Sequence, residues 1–139
     1  ERISVQKGVL QAGADQALCD QLSAFSRAIG TAYQIQDDIE DFRSVRGRAA
    51  DMLAMRPTLF LAVACTSEHA EVREALADVW EGDADGRLRL IDAIARAGLH
   101  TRVELLYAHY RHETERALSG IGHTGIKRLL RRIMVKMLR

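Results

Sequence analysis

The sequence predicts an all-α protein, and three observations carry that expectation. Apolar residues recur at helical spacing along nearly the whole chain, and the alternation expected of strands is almost absent. Alanine, leucine and arginine, all good helix formers, dominate. Pro57 is the single proline, so little interrupts helix formation. Connections between helical segments are short, which favours an antiparallel helical bundle. The chain has 139 residues, 47% of them apolar, enough to bury one core. No composition shift, repeat or low-complexity stretch marks a boundary, so 1–139 reads as one domain.

A first helix is predicted from about Asp15 to Phe42, followed by a loop over 43–50 that holds Ser44, Gly47 and three arginines. A second helix begins at Asp51 or Pro57 and runs through Phe60 and Val63, with proline suited to a first turn where its missing N–H costs nothing. Ser67 reads as the N-cap of a third helix ending at Trp80, whose Leu76–Val79 neighbourhood and Trp80 are core candidates. The Gly- and Asp-rich stretch 81–86 is a turn. A fourth helix covers Arg87 to Ala97 and stops at Gly98. Thr101 with Glu104 gives a capping-box pattern for a fifth helix to Leu118. After a loop over 119–125, a last helix runs from Ile126 to about Leu138.

Charged residues make up 28% of the chain and nearly cancel, at +1, so no global field draws the chain to nucleic acid. Cys19 and Cys65 lie far apart in apolar contexts. That argues against a disulfide framework and for a reducing, cytoplasmic setting. No run of about 18 uncharged apolar residues suggests a membrane span. The chain starts with Glu1, which suggests a piece of a longer protein.

Chemistry concentrates in Tyr33-Gln34-Ile35-Gln36-Asp37-Asp38-Ile39-Glu40-Asp41-Phe42. On a helix, residues three and four apart share a face. Gly30, Gln34, Asp37 and Asp41 form one stripe with Asp38 beside it. Ala28, Ala32, Ile35, Ile39 and Phe42 form another, about 200° away between Ile35 and Asp37. Spacing alone describes an amphipathic surface helix with a solvated acidic face. Two points favour a cation site: like charges at i,i+4 are unfavourable unless something offsets them, and Mg²⁺ takes carboxylate oxygens while sharing the rest of its shell with water and phosphate.

The ordered motif resembles the second aspartate-rich motif of the trans-isoprenyl diphosphate synthase (polyprenyl synthetase) family: an aromatic, Gln, two variable residues, Asp-Asp, two variable residues, Asp. Tyr33 takes the aromatic position, usually Phe. Downstream, Arg46, Asp51, Arg56 and Thr58-Leu59 follow in the family's order. Ala12-Gly13-Ala14, Gly98-Leu99, Tyr107-Ala108 and a basic last helix fit as well, so the resemblance spans essentially the whole chain. It implies the C-terminal portion of an isoprenoid synthase bundle. Asp37, Asp38 and Asp41 would hold Mg²⁺ directly or through water, against an allylic diphosphate. Gln34 would sit near the diphosphate or the reacting carbons, and Tyr33 would line the isopentenyl diphosphate side. Arg46 would contact diphosphate oxygens, with Arg48 the alternative because the loop glycines do not align cleanly. Arg56 matches a later basic position. The implied reaction is ionisation of an allylic prenyl diphosphate and attack by isopentenyl diphosphate, and the full-length form would be a homodimer.

The chain departs from that pattern in three ways. The family's first aspartate-rich motif is absent, and no other Asp-Asp pair occurs. Lys7 is followed by Gly8 and lies too close to Ala12 to match the family lysine. The basic loop positions carry arginine, a planar fork, where the family usually has lysine. Two readings follow: a C-terminal piece of a complete synthase, or a truncated non-catalytic homologue that binds or regulates one. His109, His112 and Glu113 have a spacing that would suit Zn²⁺, although a polar helix face with Arg111, Glu115 and Arg116 accounts for them. In the last helix, Ile126, Leu129, Leu130, Ile133, Met134, Met137 and Leu138 form an apolar stripe among Lys127, Arg128, Arg131, Arg132 and Lys136. It reads as a terminal helix packed on the bundle, or as a peripheral membrane contact.

Overall fold

The computed structural model of the chain describes residues 16–44 and 53–139. These form six helices and, among the described residues, no strand: α1 (Gln16–Arg43), α2 (Leu59–Cys65), α3 (Ala70–Trp80), α4 (Gly86–Arg96), α5 (Leu99–Ser119) and α6 (Thr124–Met137). The all-α expectation holds. Within the described residues no helix is long and apolar enough to cross a membrane. Two compact units emerge, one from residues 16–34 and 107–139, the other from 35–44 and 53–106.

The first unit is built on the apolar line Leu18, Leu22, Phe25, Ile29 and Ala32 of α1, whose alternating spacing of four and three keeps one face inward. Leu118, Ile121, Leu130 and Leu138 complete this core, with Tyr107, Tyr110, Ile126, Met134 and Met137 packed against it. Burying each large aliphatic side chain contributes roughly 1.5–3 kcal/mol. Thr114 is fully buried yet satisfied, because its hydroxyl donates to the Tyr110 carbonyl at 2.8 Å. The last helix starts earlier than predicted. His123 caps it, with Nδ1 accepting from the Ile126 N–H at 3.2 Å. The Tyr107 hydroxyl donates to the Arg139 carbonyl at 3.0 Å and so ties down the chain end.

In the second unit, α2 packs on α3 and α3 on α4. Its buried side chains are Ile35 and Ile39 of α1, Phe60 and Val63 of α2, Val72 and Ala75 of α3, Leu90, Ala93 and Ile94 of α4, and Leu99 and Val103 of α5. Trp80 is not in the core: it is 67% exposed. It lies about 80° around α3 from Val72, at the helix end, off the inward stripe. The 81–86 turn is held by Arg89, which pairs with Asp78 at 2.8 Å and with Asp83. Gly86 opens α4 close against α3. A Cβ there would lie 3.1 Å from the Val79 nitrogen and 3.2 Å from the Asp78 carbonyl carbon, both backbone atoms.

Three further predicted helix starts shift. Helix α2 begins at Leu59 with Thr58 as N-cap, its hydroxyl accepting from the Leu61 N–H. Pro57 therefore precedes the cap rather than filling the first turn. Ser67 accepts from the His69 N–H at 3.2 Å, but His69 holds the N-cap position of α3. The Thr101–Glu104 capping box does not form. Gly98, at φ +68°, ends one helix and α5 starts at once with Leu99.

Gly86→Ala is expected to destabilise the protein by about 1–3 kcal/mol, because the new methyl group meets main chain that cannot turn aside. Urea denaturation measures this. The hydrogen bond from Arg89 holds the Asp83 carboxyl below its ordinary value of 3.8, since it favours the ionised form. The stabilisation is thus present above that value and lost as pH falls through the lowered one. The gap in urea midpoint between wild type and Asp83→Asn should close on acidification and stay constant above pH 5.

Candidate functional site

The acidic residues sit in the last two turns of α1. The helix keeps Ile35 and Ile39 buried, so Asp37 is turned to solvent while Asp38 and Asp41 are half-buried. Tyr33 and Gln34 are exposed one turn earlier. Four carboxylates between residues 37 and 41 stand near the C-terminal, negative end of the helix dipole. That field attracts cations, and the basic residue of the last turn is Arg43. It pairs with Glu104 on α5.

Asp38 has a second task that the sequence did not reveal. Its Oδ2 accepts a hydrogen bond from the Leu59 N–H at 2.7 Å. Leu59 is the first residue of α2, and its N–H has no partner within the helix. One charge-assisted bond therefore fastens the acidic end of α1 to the start of α2. Phe42 stacks flat on Phe60 beside it, with ring centroids 4.0 Å apart and planes 4° from parallel. The segment leading into α2 is also shaped: Met55 is in the left-handed region at φ +54°, and Arg87 donates to the Leu53 carbonyl at 2.7 Å. Arg56 follows, exposed, just before the Thr58 cap. Arg46, Arg48 and Asp51 lie outside the described residues.

A cavity of ≈370 Å³ opens here, lined by Ile39, Phe42, Arg43, Phe60, His100 and Glu104. Neither His100 nor Glu104 was expected at a site, and Glu104 was read only as half of a capping box. Their only signal is a position one turn apart at the start of α5. Gln36, expected to be a variable position, is buried and donates to Glu40 at 3.2 Å.

The aspartates suit a hard cation in chemistry but do not form a complete cage. Among the described residues, no group of three His, Cys, Asp or Glu side chains converges on one point. Asp38 has one oxygen engaged on α2. Asp37 and Asp41, four residues apart on one face, offer carboxylate oxygens, which matches an ion that draws its remaining ligands from water and phosphate. The zinc spacing of His109, His112 and Glu113 is a polar helix face: Glu113 pairs with Arg116 at 2.9 Å and Arg111 with Glu115 at 3.7 Å.

The order of these residues, from Gln34 through the three aspartates to the Thr58 cap, lies within a wider match. The family model for polyprenyl synthetase matches residues 2–95. The chain belongs to the polyprenyl synthetase family. A curated relative is heptaprenyl diphosphate synthase component 2 of Geobacillus stearothermophilus, 32% identical over 134 residues. That alignment covers 92% of this chain and 41% of the relative, so the chain spans well under half of the relative's length. No solved structure matches the chain. The six-helix, strand-free architecture agrees with the all-α fold expected of a polyprenyl synthetase.

Asp38→Ala is expected to cost about 0.5–2 kcal/mol by leaving the Leu59 N–H without its carboxylate acceptor, while the Thr58 cap stays in place. Asp38→Asn, which keeps an acceptor oxygen, should lose less, and Asp37→Ala should lose nothing measurable because the side chain is exposed. Thermal denaturation of the three variants ranks them.

Proposed function

We propose that this chain forms part of a prenyl diphosphate synthase that lengthens an allylic prenyl diphosphate with isopentenyl diphosphate. The observation that carries the reading is the aspartate-rich end of α1, fastened by Asp38 to the Thr58-Leu59 start of α2, in a chain of the polyprenyl synthetase family. Asp37, Asp38 and Asp41 would hold Mg²⁺ together with the diphosphate, directly or through water. When bound, the ion supplies charge stabilisation to the departing diphosphate.

The chain's own residues account for the rest. Arg46 and Arg56 would bind diphosphate oxygens and stabilise the charge that develops on them. Gln34, exposed on the same stripe as Asp37 and Asp41, would orient the reacting end of the allylic substrate. Tyr33 would line the isopentenyl diphosphate side. The allylic cation must be shielded from water, and one wall of such a site cannot enclose it. The activity therefore belongs to the full-length protein, in which a second carboxylate cluster would face this one. We assign the reaction to a cytoplasmic enzyme that acts as a homodimer or with a partner subunit. The relative's designation as component 2 of its synthase favours the second arrangement.

A second reading follows from the 41% coverage of the relative: a short homologue that binds or regulates a complete synthase. The open reading frame upstream of Glu1 separates the two. An upstream aspartate-rich motif supports the enzyme, and a start codon directly before Glu1 sinks it. In the full-length protein, Asp37→Ala or Asp41→Ala should lower kcat by roughly 10²-fold or more and weaken diphosphate-dependent Mg²⁺ binding in calorimetry. Unchanged Mg²⁺ affinity in both would remove the metal assignment.

A further inference from the structure

The last helix divides its apolar residues between two surroundings. Ile126, Leu130, Met134 and Met137 pack on the first unit's core. Leu129 and Ile133 do not: they are 58% and 38% exposed, and Val135, outside that stripe, is 68% exposed. The predicted single stripe is thus split, and its outer edge faces solvent. Beside that edge lies a row of cations. Arg128, Arg132 and Lys136 follow one another at i,i+4, and Leu129 and Ile133 form the adjacent row at the same spacing. Arg131 is exposed further round. No acidic residue occurs between His123 and Arg139, and among the described residues no ion pair holds Arg128, Arg131, Arg132 or Lys136. Elsewhere in the described residues, Arg43, Arg89, Arg96, Arg111 and Arg116 meet carboxylates.

We infer that the outer face of α6 is a docking surface for an anionic lipid bilayer. The unpaired cations complement an anionic surface, each adding to the attraction at the headgroup level. Leu129 and Ile133 enter the acyl boundary, while the neighbouring arginine and lysine stems reach back to the headgroups. A folded helix already fixed to the core by its inner face presents this edge without any cost of ordering. Nucleic acid fits less well, because α6 carries no aromatic side chain on which a base could stack, and phosphate contacts leave Leu129, Ile133 and Val135 in water. The inference stands apart from the proposed reaction, since it needs no substrate.

The test is co-sedimentation of the full-length protein, without substrate, on phosphatidylcholine vesicles with and without phosphatidylglycerol. Wild type should bind the anionic vesicles and not the neutral ones. Leu129→Glu with Ile133→Glu should lower binding at least tenfold, roughly the effect of withdrawing two apolar contacts. Replacing Arg128, Arg132 and Lys136 with Gln should reduce it about fivefold per charge. Leu129→Trp should bind severalfold more tightly, which keeps the test decisive even if the glutamate variants misfold. Equal binding to both vesicle types, or unchanged binding by the glutamate and tryptophan variants, overturns the inference. Binding that depends on the cations alone and is competed away by polyglutamate also overturns it, and gives the face to an acidic protein.

Discussion

One hydrogen bond organises the chemically loaded end of this chain. The Asp38 carboxylate takes the first N–H of α2 at 2.7 Å, and by doing so it sets where the segment carrying Arg56 and Thr58 re-enters the fold. An isolated helix of seven residues is marginal in water. Helix α2 persists because three features hold its first turn at once: the Thr58 cap, the Asp38 bond and the Phe42–Phe60 stack. The acidic motif is thus joined to the next motif in sequence by structure as well as by order. A run of aspartates that sequence presents as a set of equals divides its labour, with Asp37 and Asp41 presenting carboxylates and Asp38 also acting as a strut.

The electrostatics of that end are self-consistent. Crowding four carboxylates into the last two turns of a helix is unfavourable, both for mutual repulsion and for their position at the negative end of the dipole. The structure offsets part of this locally. Asp38 meets the N–H at the positive end of α2, Glu40 accepts from Gln36, and Arg43 closes the helix against Glu104. Asp37 lies exposed and Asp41 half-buried on the same stripe.

Much of the fold was legible in the sequence because helical periodicity is a dense signal. The inward lines Leu22–Phe25–Ile29 and Ile35–Ile39 follow directly from spacing. Helix starts were less legible, since they depend on which of several polar residues wins a cap. At α2 the winner was Thr58 over Pro57, and at α5 the preceding Gly98 made a cap unnecessary. Trp80 was misplaced because hydrophobicity outweighed its angle on α3. At the site, the aspartate order was readable but the Asp38–Leu59 bond was not. It joins residues 21 apart through a main-chain donor, and no side-chain pattern encodes that. His100 and Glu104 were missed for a related reason, as they enter only through the folding of α5 against its own unit.

The two amphipathic helices invite a comparison. Helix α1 is amphipathic in the usual sense, with an apolar face inward and charge outward. Helix α6 has an apolar arc wider than the surface that the described residues offer it. Within the described residues Leu129 and Ile133 stand exposed, and the five cations of Lys127–Lys136 do not alternate with acids as the charges of α5 do. The excess of apolar width and the one-signed charge occur together on the same edge. Either feature alone is common on protein surfaces. Their coincidence is the pattern that an interfacial helix requires, because lipid headgroups reward the charge only where the adjoining apolar residues let the helix approach.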